Sequence, residues 1–110
     1  MKEENNLEVA YLSELIDYQE QSAYNLERVI EKVKAGINLY AFDKGIEFPE
    51  DQAKSDSFVY VIDGEIEYTF GNKTFNLKVG QTITIPANAT YHLKVKERVK
   101  IMVVWFENEK

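Results

Sequence analysis

Residues 58–70 read FVYVIDGEIEYTF, and this stretch decides the fold class of the 110-residue chain. Its two halves, residues 58–62 and 65–70, are rich in β-branched and aromatic residues, which favour β-strands. Only Asp63-Gly64 separates them, and both residues tolerate the positive φ that a type I′ turn needs. The pattern therefore predicts a β-hairpin and, with it, a β-rich fold.

Other short strands are predicted at even spacing around this hairpin. Gly71-Asn72 is a second two-residue turn signal, and Pro86 ends a strand that follows Gly80. Several short strands joined by Gly and Asn turns indicate a sandwich or barrel, so the fold class is all-β. The strands are expected at residues 37–42, 58–62, 65–70, 73–77, 82–85, 91–95 and 99–106.

The N-terminal arm, residues 1–34, is harder to assign. Ser13 is expected to cap a short helical turn in which Leu15 and Ile16 face the body. Residues 22–33 fit two patterns, because their apolar positions keep helical spacing and also suit a strand. Periodicity alone slightly favours the helix.

Two of the predicted strands, residues 58–62 and 101–106, are apolar on both faces. A strand with one solvated face would alternate apolar and polar residues. These two strands do not, so their outer face must be covered. Either the N-terminal arm or a second subunit could cover it. We expect a homodimer.

Composition excludes several function classes. A formal net charge of -6 disfavours nucleic acid and anionic membrane surfaces as partners, since both attract basic patches. With 0 cysteines the chain has no disulfide or thiolate site, and no apolar run is long enough to span a bilayer. A chain of this length is one domain, residues 1–110, and its expected location is cytoplasmic.

Two motifs carry a resemblance to a known family. The first runs from Pro49 to Gly64 and the second from Gly80 to Pro86, with Tyr91 beyond it. In the spacing of these glycines and prolines, the segments resemble the cupin family, and in particular its small single-domain members with degenerate metal motifs. The resemblance implies a jelly-roll barrel, or double-stranded β-helix, whose core covers about residues 35–106. It also favours a strand for residues 22–33, and it agrees with a dimer.

Cupins hold a divalent metal with two histidines, a glutamate and a later histidine. Carried over by position from Gly64 and Pro86, the resemblance places these ligands at Asp51, Ala53, Ser57 and Tyr91. None is an imidazole, so we expect no tightly held metal and no cofactor. His92, the sole histidine, follows Tyr91 directly and should point out of the barrel if Tyr91 points in.

Three functions remain open. The first is a metal-independent barrel that binds a small neutral or weakly polar organic molecule, with Asp51 at the rim discouraging acids and tolerating neutral or cationic ligands. The second is an enzyme, either a metal-dependent oxygenase, isomerase or decarboxylase, or one using Asp51 and Tyr91 as acid and base. The third is a structural dimerisation module whose lumen is filled, with Ser57 and Tyr91 as a hydrogen-bonded plug. Candidate ligand-binding residues are Asp51, Ser57, Tyr91, Tyr40 and Trp105; Phe42 and Met102 are expected in the core or pocket wall.

Overall fold

The computed structural model describes residues 7–19 and 24–107. It is almost entirely β-structure, with one short 3₁₀ turn, Leu12–Glu14, ahead of the strands. The strands are β1 Tyr24–Glu31, β2 Ala35–Phe42, β3 Glu47–Gln52, β4 Asp56–Phe70, β5 Lys73–Lys78, β6 Thr82–Ile85, β7 Thr90–Lys94 and β8 Val99–Phe106. The predicted all-β fold class is confirmed. The segment 22–33 contains a strand and not a helix over its described part, while residues 22 and 23 lie outside the described residues.

All strand pairings are antiparallel, and β4 links two halves of one curled sheet. In the first half the order is β1-β2-β8-β4-β6, and in the second it is β5-β4-β7-β3. The N-terminal part of β4 belongs to the first half and its C-terminal part to the second. The two halves face each other across a common core, as in a cupin jelly-roll barrel.

The predicted hairpin at Asp63-Gly64 is wrong. β4 continues through these residues, and Asp63 and Gly64 still pair with Lys100 and Val99 of β8. A register shift between Val61 and Asp63 inserts an extra residue, and Gly64 has φ +80°. The positive φ inferred from the sequence is present, but it serves a β-bulge that bends the strand from one half of the sheet to the other. The second turn, at Gly71-Asn72, does form a hairpin, with Phe70 opposite Lys73.

The outer face of the first half of the sheet is partly covered by the chain's own N-terminal arm. Ile16, 5 % exposed, packs with the fully buried Leu39 and Ala41, and Leu12 and Tyr18 flank it. This explains the apolar outer positions of the strands beneath it. Of the two coverings expected from the sequence, the N-terminal arm is therefore confirmed for this part of the face.

The predicted details of the arm are wrong in two respects. Ser13 lies inside the 3₁₀ turn, and the capping position is Tyr11, which makes no side-chain capping bond. Leu15 is 39 % exposed, so Ile16 alone of the two predicted residues faces the body. Polar contacts fix the arm, since Tyr18 donates to Asp63 Oδ2 at 2.7 Å.

Candidate functional site in the barrel lumen

The lumen contains an open cavity of about 650 Å³. Small-molecule pockets span roughly 300–1,000 Å³, so its size suits a small organic molecule. All five residues predicted as ligand-binding line it: Asp51, Ser57, Tyr91, Tyr40 and Trp105. Their presence in the lining is a structural fact, while their binding role stays a prediction.

Asp51 and Tyr91 form the polar side of the cavity. They are opposite each other on β3 and β7, next to a register shift between Phe48 and Asp51. The Tyr91 hydroxyl donates to Asp51 Oδ2 at 3.3 Å, and the backbone N–H of Gln52 donates to Asp51 Oδ1 at 3.0 Å. Asp51 thus belongs to a strand and not to a loop, and its carboxylate is anchored at the exposed end of the lumen.

The predicted plug made by Ser57 and Tyr91 is wrong. The Ser57 hydroxyl donates to the Ser55 carbonyl at 3.3 Å, whereas Tyr91 bonds to Asp51. The two hydroxyl groups have different partners, because each is held by its own strand or by the loop next to it. The cavity between them remains open.

Aromatic rings form much of the remaining wall. Tyr40 and Phe42 are stacked with centroids 5.5 Å apart, and Tyr68 and Tyr91 meet edge to face at 5.5 Å. Burial, helped by the charge of Asp51, raises the pKa of Tyr91 to about 12. At neutral pH the Tyr91 phenol is therefore a hydrogen-bond donor and not a base.

The four positions equivalent to cupin metal ligands do not fit a divalent metal. They supply one carboxylate, a methyl group, a hydroxyl and a protonated phenol, with no imidazole. Ala53 is 8 % exposed and is held by backbone bonds to Ala89 and Asn88. Within residues 7–19 and 24–107, no group of three or more His, Cys, Asp or Glu side chains is placed to hold a metal ion.

His92 does not line the lumen. Its Nε2 lies 2.7 Å from Glu47 Oε2 of the neighbouring strand β3, whereas Tyr91, the preceding residue, faces the cavity. The predicted outward orientation of His92 follows from the alternation of side chains along β7. The imidazole therefore adds no ligand to the positions inside the barrel.

Sequence reasoning missed several residues of the wall, among them Tyr24, Phe48 and Tyr68. Tyr68 was missed because the bulge in β4 changes which positions face inward. Val59 and Val61 point to the core before the bulge, but Ile66 and Tyr68 do so after it. Side-chain alternation counted from one end of β4 therefore assigns the wrong residues to the interior beyond the bulge. In the sequence, only the tendency of Gly64 to adopt positive φ indicates this change.

Met102, expected in the core or pocket wall, packs against a hydrophobic core cluster outside the lumen. It packs on the outer side of the sheet with Leu39 and Ile16. Its neighbours in β8, Ile101 and Val103, line the lumen instead. The fully apolar sequence of β8 hides this alternation, since both faces carry large hydrophobic residues.

Comparisons with known proteins agree with this architecture. A family model described as the cupin domain matches residues 38–106. No curated protein matches the chain significantly. Among the residues that the structure describes, no helix is long and apolar enough to cross a membrane.

Solved structures similar to this chain are numerous. A conserved protein of unknown function from Streptococcus pyogenes is 25 % identical, with 94 % of this chain and 90 % of that chain covered and a TM-score of 0.83. A cupin superfamily protein from Desulfitobacterium hafniense is 21 % identical, with 88 % of each chain covered and a TM-score of 0.81. The EutQ protein of Clostridium difficile is 17 % identical, with 79 % of this chain and 70 % of that chain covered and a TM-score of 0.69. Likenesses at 21 % and 17 % identity bear on the fold alone.

Proposed function

This chain belongs to the cupin family, and we propose that its barrel binds a small organic molecule, neutral or cationic but not an acid, without a metal ion and without transforming it. The observation that carries the proposal is the open cavity of about 650 Å³. It combines aromatic and aliphatic side chains with several polar groups, as ordinary ligand pockets do.

The polar groups suit recognition better than chemistry. Tyr91 keeps its proton at neutral pH, because its pKa is raised to about 12, and donates it to Asp51; its hydroxyl oxygen can accept a hydrogen bond from an uncharged ligand. Asp51 accepts from Tyr91, and its negative charge repels carboxylates and phosphates at the same place. The Ser57 hydroxyl, which donates to the Ser55 carbonyl, adds an acceptor on the opposite half of the sheet.

Thermal-shift screening of neutral, cationic and acidic compounds with the full chain tests this function. Each hit is then titrated by the fluorescence of Trp105, the sole tryptophan, which lines the cavity. Tyr91→Phe keeps the ring and removes the hydroxyl, so an uncharged ligand bonded to it should lose about 0.5–1.5 kcal/mol of binding free energy. Tyr60→Phe is the matched control, because Tyr60 does not line the lumen. Stabilisation by acids alone, or an unchanged affinity of every hit for Tyr91→Phe, would contradict the proposal.

The competing metal-dependent function has its own test. Elemental analysis of untagged, dialysed protein should give well under one equivalent of transition metal, because the described lining of the lumen offers two carboxylates, Asp51 and Glu107, and no imidazole. A stoichiometric metal that survives dialysis would instead favour the enzyme.

A homodimer is a second proposal, and exposed apolar side chains support it. Phe58 and Phe106 on the outer sheet face are 39 % and 53 % exposed, beside the area that the N-terminal arm covers. Burying such a patch against a second copy would remove it from water. Light scattering at micromolar concentration should give twice the mass of the chain, and Phe58→Glu should reduce it to a monomer. Phe75→Glu, at an equally exposed position on β5, should not. A wild-type monomer would refute the dimer.

A further inference from the structure

The lumen joins aromatic rings to the carboxylate of Asp51, which has no lysine or arginine partner among the residues that the structure describes, and we infer that its preferred ligand is a compact organic cation, such as a methylated ammonium group. This inference rests on the proposed binding function and narrows it. A neutral ligand would satisfy the function, but only a cation would use both the ring faces and the charge of Asp51.

The rings that could contact such a cation come from both halves of the sheet. Tyr40 and Phe42 are stacked at an interplanar angle of 5°, and Tyr24 lies 5.5 Å from Phe42. Tyr91 belongs to the other half, and Trp105 also lines the cavity. The face of an aromatic ring carries negative charge density, and tryptophan and tyrosine attract cations most strongly.

Asp51 supplies a full negative charge at the edge of this aromatic wall. Over the part of the chain that the structure describes, no lysine or arginine nitrogen lies within 4.0 Å of its carboxylate. It accepts hydrogen bonds from two neutral donors, the backbone N–H of Gln52 and the Tyr91 hydroxyl. Neutral donors orient the carboxylate and leave its charge for a ligand to balance.

The field of Asp51 extends into the lumen. Its charge contributes to the raised pKa values of Tyr68 and Tyr91, after the larger effect of burial. The lining also includes Glu107 and Lys54, so it carries two carboxylates and one ammonium group. The same potential that disfavours phenolates inside the barrel favours a bound cation.

Methylated ammonium groups fit this site better than metal ions do. A divalent metal needs several oxygen or nitrogen ligands to replace its water, and among the described residues no group of three or more His, Cys, Asp or Glu side chains is placed to supply them. A quaternary ammonium is weakly hydrated and presents methyl groups to ring faces, so it loses little on entering. The chemistry of the wall therefore selects an organic cation.

The test compares choline with tert-butylethanol, its neutral isostere in which carbon replaces the ammonium nitrogen. Both are titrated into the full chain by calorimetry and by Trp105 fluorescence, with sodium chloride added to equalise ionic strength. Choline should bind about tenfold more tightly than the alcohol. Equal affinity for the two compounds, or weaker binding of choline, overturns the cation preference. Binding of the alcohol would in that case still support the proposed function.

Variants identify the charge responsible. Asp51→Asn should bring the affinity for choline close to that of the alcohol, because it removes the charge and keeps the size of the side chain. Glu50→Gln is the matched control: it removes a neighbouring exposed carboxylate that does not line the cavity, and should leave the difference unchanged. An equal loss in both variants would mean that choline responds only to surface charge, and would overturn the assignment to Asp51. If no compound of the wider screen binds either, the proposed function itself fails.

Discussion

The bend of β4 at Gly64 can be tested by a single methyl group. Gly64 has φ +80°, and a Cβ built on it would lie 1.9 Å from the Arg98 carbonyl oxygen and 2.9 Å from Val99 Cα. Both atoms belong to the backbone where β8 begins, so no side-chain rotation relieves the overlap. Gly64→Ala should therefore force the two strands apart where β4 passes between the halves of the sheet.

Two terms set the size of the effect. A left-handed backbone conformation costs a non-glycine residue about 1–2 kcal/mol. Moving packed structure to admit an extra methyl group costs about 1–3 kcal/mol more. The free energy of unfolding of Gly64→Ala should thus fall by roughly 2–5 kcal/mol, a large share of the ~5–15 kcal/mol typical of a domain.

Gly71 and Gly80 provide matched controls. Their φ values, +62° and +87°, bracket that of Gly64, but no heavy atom lies within 4 Å of a Cβ at either position. Alanine at these two sites should cost only the conformational term, about 1–2 kcal/mol. The difference in the loss of unfolding free energy between Gly64→Ala and the controls measures the cost that comes from the close approach of β8 to position 64.

Urea unfolding followed by circular dichroism measures all three variants, and the midpoint should shift while the slope stays constant. Equal losses at the three glycines would refute the reasoning. That result would mean that position 64 is an open turn, as in the hairpin inferred from the sequence, and that β4 is not continuous.

Three further predictions concern the lumen wall, the N-terminal arm and alkaline pH. Gly36→Ala places a Cβ 2.6 Å from Trp105 Nε1, so the indole should move, its fluorescence should shift, and the free energy of unfolding should drop by about 1–3 kcal/mol. Tyr18→Phe removes the bond to Asp63 and should lower stability by roughly 0.5–1.5 kcal/mol, with faster amide exchange in residues 7–19. Because the pKa of Tyr91 is raised to about 12 in the folded state, stability should be retained up to about pH 10 and fall as pH rises towards 12; the unfolded chain releases this proton first. Urea midpoints measured across this pH range check it, and Tyr91→Phe should flatten the decline.

Each of these predictions has a clear contrary outcome. An unchanged Trp105 spectrum in Gly36→Ala would mean that the indole does not lie over this glycine. Arm exchange that is unaffected by Tyr18→Phe would show that the apolar contacts of Ile16 alone hold the segment. A pH profile that is identical for wild type and Tyr91→Phe would contradict the raised pKa.

The sequence by itself determined the fold class, the family and the missing imidazoles. Turn-forming glycines and β-rich segments are local features, so the all-β class and the Gly71-Asn72 hairpin could be predicted without knowing any long-range contact. The resemblance to cupins, counted from Gly64 and Pro86, likewise implied that Asp51, Ser57 and Tyr91 would share one interior. It also assigned His92 to the outside, because alternation along a short strand is reliable.

Only the tertiary structure decided how β4 turns and whether the lumen is open. The sequence at Asp63-Gly64 permits both a reversal and a bulge, and the choice depends on the Arg98 carbonyl, which comes from a distant part of the chain. The open cavity depends on side-chain partners: Tyr91 bonds to Asp51 and Ser57 to Ser55, so neither fills the centre. Local propensity fixes which backbone conformations are accessible, but packing between distant strands selects among them.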